Sequence, residues 1–249
     1  MRLIKPDASR RITLPGVSKA VPRPVDIEAA QTHFQLLRTL RIYRFAQGSR
    51  IEGHAEEDEV YIAVLAGTIK LVIHGAAGAG HRYELAAPEA SSSSATACVA
   101  YLPVHGEYVL TALTDADVAY VRATPHGTRA AASFAIDAAA RASRARTASR
   151  TSPVILDLRS HAERLRLQLL RVSATGADSR LDLFGGGASA DGALLHVRSK
   201  DNGAQVAVVT NGERENLHDW DTVAIGAGER AALESGSGAD VLGLLVWAE

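Results

Sequence analysis

Two stretches of this sequence follow the same pattern of strands and turns. Residues 101–122 and 223–247 each contain an apolar strand, a Gly-Glu turn, a second strand, an acidic turn and an apolar strand that opens on Asp-Val. The turn glycines, Gly106 and Gly228, lie 122 residues apart, and the two Asp-Val pairs lie 123 apart. Solenoid repeats have about 20 to 50 residues, so a repeat of this length indicates a duplicated domain. The sequence therefore predicts two tandem all-β units.

The composition limits the classes of protein to be considered. The chain has 249 residues, which is enough for two domains that each bury a core. Its 27 basic and 28 acidic residues nearly cancel, which disfavours nucleic acids and membrane surfaces as partners. Cys98 is the single cysteine, so no internal disulfide can form, and the apolar runs are far shorter than the roughly 20 residues of a membrane-spanning helix. We therefore expect a cytoplasmic protein, and the sequence leaves a homodimer open.

Changes in composition along the chain predict four segments. Residues 1–32 are rich in proline and form an N-terminal extension, and residues 33–126 form the first unit. Residues 127–152 are rich in alanine and arginine without a regular apolar stripe, which predicts a linker. The second unit spans 153–249 and begins with the strictly alternating strand 165–169. Short strands with glycine turns in closed antiparallel units are typical of tandem jelly-roll barrels.

The first unit also carries a specific motif. Residues 48–59 run from a glycine to a glutamate and are followed by seven residues, 60–66, and then by Gly67. With the stretch 99–125, this spacing resembles the N-terminal domain of the 5-deoxy-glucuronate isomerase family, relatives of 4-deoxy-5-threo-hexosulose-uronate isomerase. The resemblance covers about residues 35–126. It implies an all-β fold of two tandem cupin domains, which are jelly-roll β-barrels, and the chemistry of a sugar-acid isomerase.

The second unit lacks the residues that the resemblance implies for a metal centre. In those isomerases the metal is implied to lie in the C-terminal cupin, with a histidine pair, a carboxylate and a later histidine as ligands. Residues 151–249 contain only His161, His196 and His218, and no His-x-His occurs in the chain. Ligands on one strand need an even spacing to point into the same barrel. The sequence therefore predicts a degenerate metal site and an apolar interior in this half.

A different metal site is conceivable in the first unit. Glu52, His54 and Glu56 alternate, so they share one face of an extended strand, and Glu59 or His105 could complete a coordination shell. Such a set suits one divalent ion, Zn, Mn or Fe, and makes His54, Glu56 and Glu59 the metal candidates. His54 and Glu59 are also the catalytic candidates for moving a proton between adjacent carbons. Because only one imidazole is present, a solvated acidic strand edge is the alternative.

Aromatic residues divide between the two units. All six tyrosines lie in the first unit and both tryptophans in the second. Tyrosine rings with polar tips suit sugar recognition at a barrel mouth, which makes Tyr43, Tyr61, His105 and Tyr108 the candidate ligand-binding residues. Tyrosine is also common in strands, so a structural role is the alternative.

Two functions remain open on this sequence. In the first, the protein is a bicupin of the sugar-acid isomerase type that binds a small polar ligand, such as a carbohydrate acid, without catalysis. In the second, it is an active metal-dependent isomerase, an intramolecular oxidoreductase that interconverts aldose and ketose. The missing histidine pairs favour the first. A cupin barrel hosts many functions, so the fold alone does not decide between them.

Overall fold

The computed structural model describes most of the chain. The described residues are 1–15, 17–74, 80–88, 97–125, 134–137, 154–158, 162, 164–173, 179–186, 189–199, 205–236 and 240–249. Strands dominate the fold of these residues, as the sequence predicts. Among them, no helix is long and apolar enough to cross a membrane.

The secondary structure follows the predicted order of extension, first unit and second unit. The extension contains β1 to β4 and the short helix α1, at Arg2–Ile4, Arg11–Ile12, Val21–Pro22, Val25–Glu28 and Ala29–Thr32. The first unit contains β5 to β12, at Leu37–Phe45, Arg50–His54, Glu59–Ala66, Thr68–His74, Gly80–Ala86, Ala97–Leu102, Glu107–Ala112 and Ala116–Ala123. Strand β13, at Phe134–Asp137, follows it in the chain. The second unit contains β14 to β22, at Val154–Asp157, Leu165–Ser173, Ser179–Asp182, Ala193–Ser199, Val206–Thr210, Glu213–Leu217, Thr222–Ile225, Ala231–Ser235 and Asp240–Ala248. A 3₁₀ turn at Leu183–Gly186 follows β16.

The two units share one topology. In the first, one continuous sheet has the strand order β4-β5-β12-β7-β10-β9-β8-β11-β6. In the second, the order β14-β15-β22-β17-β20 and the order β19-β18-β21-β16 repeat the same neighbours. Strands β5 to β12 therefore correspond one by one to β15 to β22. The repeated sequence stretches occupy β10 to β12 and β20 to β22, and the predicted all-β fold of two tandem barrels is confirmed.

Strand β7 shows how the barrels pack together. Its residues are buried throughout the strand apart from its last residue, and alternate ones point in opposite directions. Ile62 and Val64 belong to the apolar cluster inside the first barrel. Tyr61 and Ala63 belong to a second cluster, between the barrels, which also contains Leu169 of the second unit. Both faces of β7 are covered, which explains why its sequence is a continuous apolar run.

The N-terminal extension contacts both barrels. Strand β1 pairs with β20 and so extends a sheet of the second barrel, whereas β4 pairs with β5 of the first. Between them, β2 and β3 form a hairpin whose Ile12, Leu14 and Val17 pack against the core of the first barrel. The sequence did not predict that the chain begins in the sheet of its second unit.

The predicted linker, residues 127–152, lies largely outside the described residues. Its described part, Phe134–Asp137, forms β13 and pairs with β10 of the first barrel. The boundaries of the domains stay a prediction.

The turn between β7 and β8 depends on a glycine. Gly67 has φ +75°, and a Cβ atom there would lie 2.0 Å from the carbonyl oxygen of Asp115. We expect Gly67→Ala to lower the free energy of unfolding by about 2 kcal/mol, because a backbone clash adds to the cost of a left-handed alanine. Gly48→Ala is the matched control, since Gly48 has φ +81° with nothing within 4 Å, and it should cost about 1 kcal/mol. Urea unfolding measures both; equal losses would contradict the expected clash.

Candidate functional site

The first barrel contains a cavity of about 210 Å³. Strands β5, β6, β11 and β12 form its wall, and Leu14 and Pro15 of the extension lie at its edge. A cavity of this size suits a small polar molecule.

Three predicted site residues lie at the mouth of this cavity. Glu52 and His54 line it from β6, and Glu56 reaches it from the turn that follows. His54 and Glu56 have side chains that are 61% and 58% exposed, and His54 Nδ1 lies 3.9 Å from Glu56 Oε1. The strand ends at His54, and Glu56 has a left-handed backbone with φ 56°. The three side chains thus share the cavity rim, but they do not lie on one extended strand as expected.

Glu59 lies apart from this group. It is fully buried and, like Tyr61 on the same strand, faces away from the first barrel's interior. Its Oε1 accepts hydrogen bonds from the backbone N–H groups of Arg164, at 2.9 Å, and of Leu165, and the Tyr101 hydroxyl donates to its Oε2 at 3.4 Å. The structure therefore uses this carboxylate to bind the second unit to the first and does not bring it to His54 and Glu56.

The predicted metal ligands are consequently separated. Across the described ranges, no three His, Cys, Asp or Glu side chains come close enough together to hold a metal ion. His54 and Glu56 remain near each other at the rim, and Glu59 is buried at the interface.

The predicted ligand-binding residues divide in the same way. Tyr43 and Tyr108 are buried and line the cavity. Tyr61 lies in the cluster between the barrels, where its ring meets that of Tyr101 edge to face at 5.6 Å. His105 stands in the turn before β11 with a side chain that is 68% exposed. The cavity thus contains two of the four candidates.

Four polar residues that line the cavity were not among the predicted site residues. Thr39 and Arg41 lie on β5, and Tyr120 and Arg122 lie on the neighbouring β12. In the register of these strands, Arg41 is opposite Tyr120 and Thr39 is opposite Arg122. A signal was present, because Thr39, Arg41 and Tyr43 alternate with apolar residues along β5.

Two hydroxyl groups of this set are buried without a normal hydrogen bond. Within the described residues, Thr39 Oγ1 makes none, and Tyr120 Oη has no partner in normal hydrogen-bond geometry, although its hydroxyl interacts with that of Tyr108. Burial raises the pKa of Tyr120 well above its ordinary value and that of Tyr108 to about 12, so both phenols stay protonated at neutral pH. Buried polar groups nearly always have a partner, either protein or a bound molecule. Thr39 and Tyr120 thus place incompletely paired hydroxyls among the residues that line the cavity.

Carboxylates hold the two arginines in place. Arg41 contacts Asp26 Oδ1 through Nε at 3.0 Å and Glu28 Oε1 through Nη2 at 2.9 Å. Arg122 contacts Glu56 Oε2 through Nη1 at 2.9 Å. Such charge-assisted pairs orient a guanidinium group and leave its other N–H groups to a ligand.

The described residues of the second barrel do not fit the metal that the resemblance implies for it. His196 lies on the interface side of β17, with its Nδ1 3.0 Å from Thr222 Oγ1. Burial lowers its pKa to about 3, so the ring is neutral. His218 lies near the surface with a side chain that is 73% exposed, and His161 is outside the described residues. The apolar cluster inside this barrel is built from residues such as Leu195 and Trp247.

Comparison with families of known proteins gives one match. The KduI/IolB family pattern matches residues 21–175, which include the whole cavity wall. No curated protein matches the chain significantly.

Solved structures resemble the chain over nearly its whole length. An IolB-like protein from Salmonella typhimurium LT2 has a TM-score of 0.66 at 17% identity, over 96% of this chain and 92% of that chain. A cupin 2 conserved barrel domain protein from Leptotrichia buccalis has a TM-score of 0.53 at 11% identity, over 98% of both chains. A formate complex of oxalate decarboxylase from Lactobacillus farciminis has a TM-score of 0.62 at 9% identity, over 98% of this chain and 85% of that chain. At these identities the likeness concerns the fold, and it confirms the tandem cupin barrels.

Proposed function

Because this chain belongs to the KduI/IolB family, we propose that it is a sugar-isomerase-like bicupin whose first barrel binds a small polar ligand such as a carbohydrate acid. We further propose that the metal centre of its second barrel is degenerate. The partner in this proposal is a small molecule, and neither nucleic acid nor a membrane is part of it.

The cavity of the first barrel carries the proposal. It combines two arginines with buried hydroxyl groups, and Thr39 and Tyr120 make no normal hydrogen bond in the described residues. A carbohydrate acid supplies many hydrogen-bond acceptors in a small volume. Tyrosine faces with polar tips, here Tyr43 and Tyr108, suit the edges of a sugar.

The degenerate metal centre is supported by the chemistry of the second half. Its described histidines, His196 and His218, lie apart, one buried at the interface and the other exposed. A metal site needs several such ligands directed at one point. Elemental analysis of protein purified without chelators tests this proposal. A stoichiometric transition metal would contradict it, except where His54→Ala abolishes metal binding, because the metal would then be bound by the first barrel.

Ligand-induced stabilisation tests the binding function. We expect D-glucuronate or D-galacturonate to raise the midpoint of thermal unfolding, because a ligand that binds only the folded state stabilises it. His54→Ala should lower the affinity about tenfold, since a rim imidazole can contribute a hydrogen bond or two to the ligand. The side chain is 61% exposed, so the midpoint without ligand should stay unchanged.

The matched control for this experiment is His81→Ala, which removes an exposed histidine from outside the cavity. If a sugar acid raises the thermal midpoint of His54→Ala as much as that of the parent, His54 is not part of the binding site. No stabilisation of the parent protein by either sugar acid would remove the binding function itself.

An active isomerase is the second candidate. His54 and Glu56 stand together at the mouth of the cavity, where they could bind a divalent ion or move a proton of a bound sugar. Isomerisation of uronates, assayed with added Zn, Mn or Fe and with a chelator, tests this candidate. Turnover that the chelator abolishes would favour the isomerase over the binding protein.

A further inference from the structure

We propose that Thr39, Arg41, Tyr120 and Arg122 form a subsite for the carboxylate group of a monoanionic ligand. The inference rests on the proposed function, that the cavity binds a small polar ligand, and it assigns the charge and the orientation of that ligand. The carboxylate lies on the wall formed by β5 and β12, and the rest of the ligand points toward the rim at Glu52 and His54 (residues that also line the cavity).

The register of two strands assembles this subsite. Arg41 stands opposite Tyr120, and Thr39 stands opposite Arg122, so that the four residues occupy the corners of one patch. Directly opposed side chains on an antiparallel pair begin about 5 Å apart, and diagonal ones about 7–8 Å apart. Arginine and tyrosine side chains are long enough to converge from these positions on one small group.

The patch offers donors without matching acceptors. The hydroxyls of Thr39 and Tyr120 make no normal hydrogen bond within the described residues. Each arginine also has a nitrogen without a hydrogen bond or ion pair to another described residue, Nη1 of Arg41 and Nε of Arg122. A carboxylate presents about four acceptor positions and no donor, which matches four donor groups. Hydrogen bonds to such a charged group are also stronger than those to a neutral one.

The charges around the patch favour one negative charge over two. The ion pairs form two separate sets. Among the described residues, Arg10, Arg23 and Arg41 pair with only Asp26 and Glu28, whereas Arg38 and Arg122 are balanced by Asp58 and Glu56. Glu52, which also lines the cavity, is balanced by Arg50. One positive charge is therefore left over. A monocarboxylate balances it, whereas a phosphate dianion would leave an uncompensated charge in a partly buried site, which is unfavourable.

The duplicated barrel provides an internal comparison. Both units contain an Asp-Val pair at the start of their last strand, and equivalent positions can be counted from it. In the second barrel, the positions equivalent to the four residues of the patch are Leu170, which is opposite Gly243, and Gln168, which is opposite Leu245. Three of these four positions carry no polar side chain. The cupin fold therefore does not require arginine, tyrosine or threonine there. The polar quartet of the first barrel is a property of its site rather than of its architecture.

Isothermal titration with three sugars tests the subsite. We expect the parent protein to bind D-glucuronate more tightly than D-glucose and than D-glucose 6-phosphate. Tyr120→Phe and Thr39→Val should each weaken D-glucuronate about tenfold, because each removes one hydrogen bond to a charged group. Binding of D-glucose should change less than about threefold. Tyr83→Phe, a tyrosine of the same barrel outside the cavity, is the control and should change neither.

The same variants report on folding. Because both hydroxyls lack a normal hydrogen bond in the described residues, their removal should leave the thermal midpoint of the unliganded protein unchanged or raise it. A loss of affinity at unchanged stability therefore reflects the site and not the fold.

The possible results separate this inference from the proposed function. If the parent binds D-glucuronate and both variants keep its preference over D-glucose, the carboxylate lies elsewhere and the subsite is wrong, while the binding function stands. Tighter binding of D-glucose 6-phosphate than of D-glucuronate would show that the subsite does not prefer a monoanion. The subsite would then be wrong, while the binding function would stand. Binding of none of the three sugars by the parent would overturn both.

Discussion

Replacing Glu59 with alanine is expected to lower the free energy of unfolding by about 4 kcal/mol. Glu59 is fully buried between the barrels and accepts hydrogen bonds from the backbone of Arg164 and Leu165 and from the hydroxyl of Tyr101. Alanine would leave two backbone N–H groups and a hydroxyl without this acceptor, at about 1–3 kcal/mol for each buried group. It would also leave a small cavity.

Urea unfolding at pH 7.5 measures this loss. Glu59→Gln is the informative second variant, because it keeps an acceptor oxygen and removes the charge, and it should cost about half as much. Glu56→Ala is the control, since that carboxylate is 58% exposed. A Glu59→Ala protein as stable as the parent would contradict the structural role.

Acidification from pH 7.5 to pH 5 is expected to lower the free energy of unfolding by about 2 kcal/mol through His196 alone. Burial lowers the pKa of His196 from 6.5 to about 3 in the folded protein. Between these values the unfolded chain binds a proton that the folded chain does not. The stability is therefore fully present above pH 6.5 and is lost as the pH falls toward 3, at about 1.4 kcal/mol per pH unit.

Chemical unfolding of the parent and of His196→Gln at a series of pH values isolates this contribution. The difference in unfolding free energy between the two proteins should shrink by about 2 kcal/mol from pH 7.5 to pH 5, because glutamine does not titrate. His74→Gln, at an exposed histidine, should keep the dependence of the parent on pH. A parallel pH dependence for the parent and His196→Gln would show that His196 is protonated equally easily in both states.

The fold could be predicted because its signals are local. Glycine turns such as the one at Gly67 and the alternation along β15 depend on a few neighbouring residues. The duplication is visible for the same reason, since β10 to β12 and β20 to β22 repeat one order of strands and turns. The resemblance to the isomerase family depended on the spacing of residues 48–67 and on the stretch 99–125, and the family match confirms it.

The candidate site could be predicted only in part. Glu52, His54 and Glu56 meet at the cavity mouth because they are close in sequence. Glu59 and Tyr61 were assigned to the same site, but an apolar run buried on both sides gives no indication of which face is the interior. The packing of the second barrel decides that these two side chains face the interface.

By itself, the sequence determined the two all-β units, their duplicated order of strands and the loss of clustered histidines from the second, because each of these is recorded in residue types and short spacings. Only the tertiary structure decided that Thr39 and Arg41 meet Tyr120 and Arg122. These strands are separated by most of the barrel's sequence, and their register follows from how the whole sheet closes and packs. A shift of one residue in either strand would turn that strand's two side chains out of the cavity, so the site depends on long-range packing that no local pattern contains.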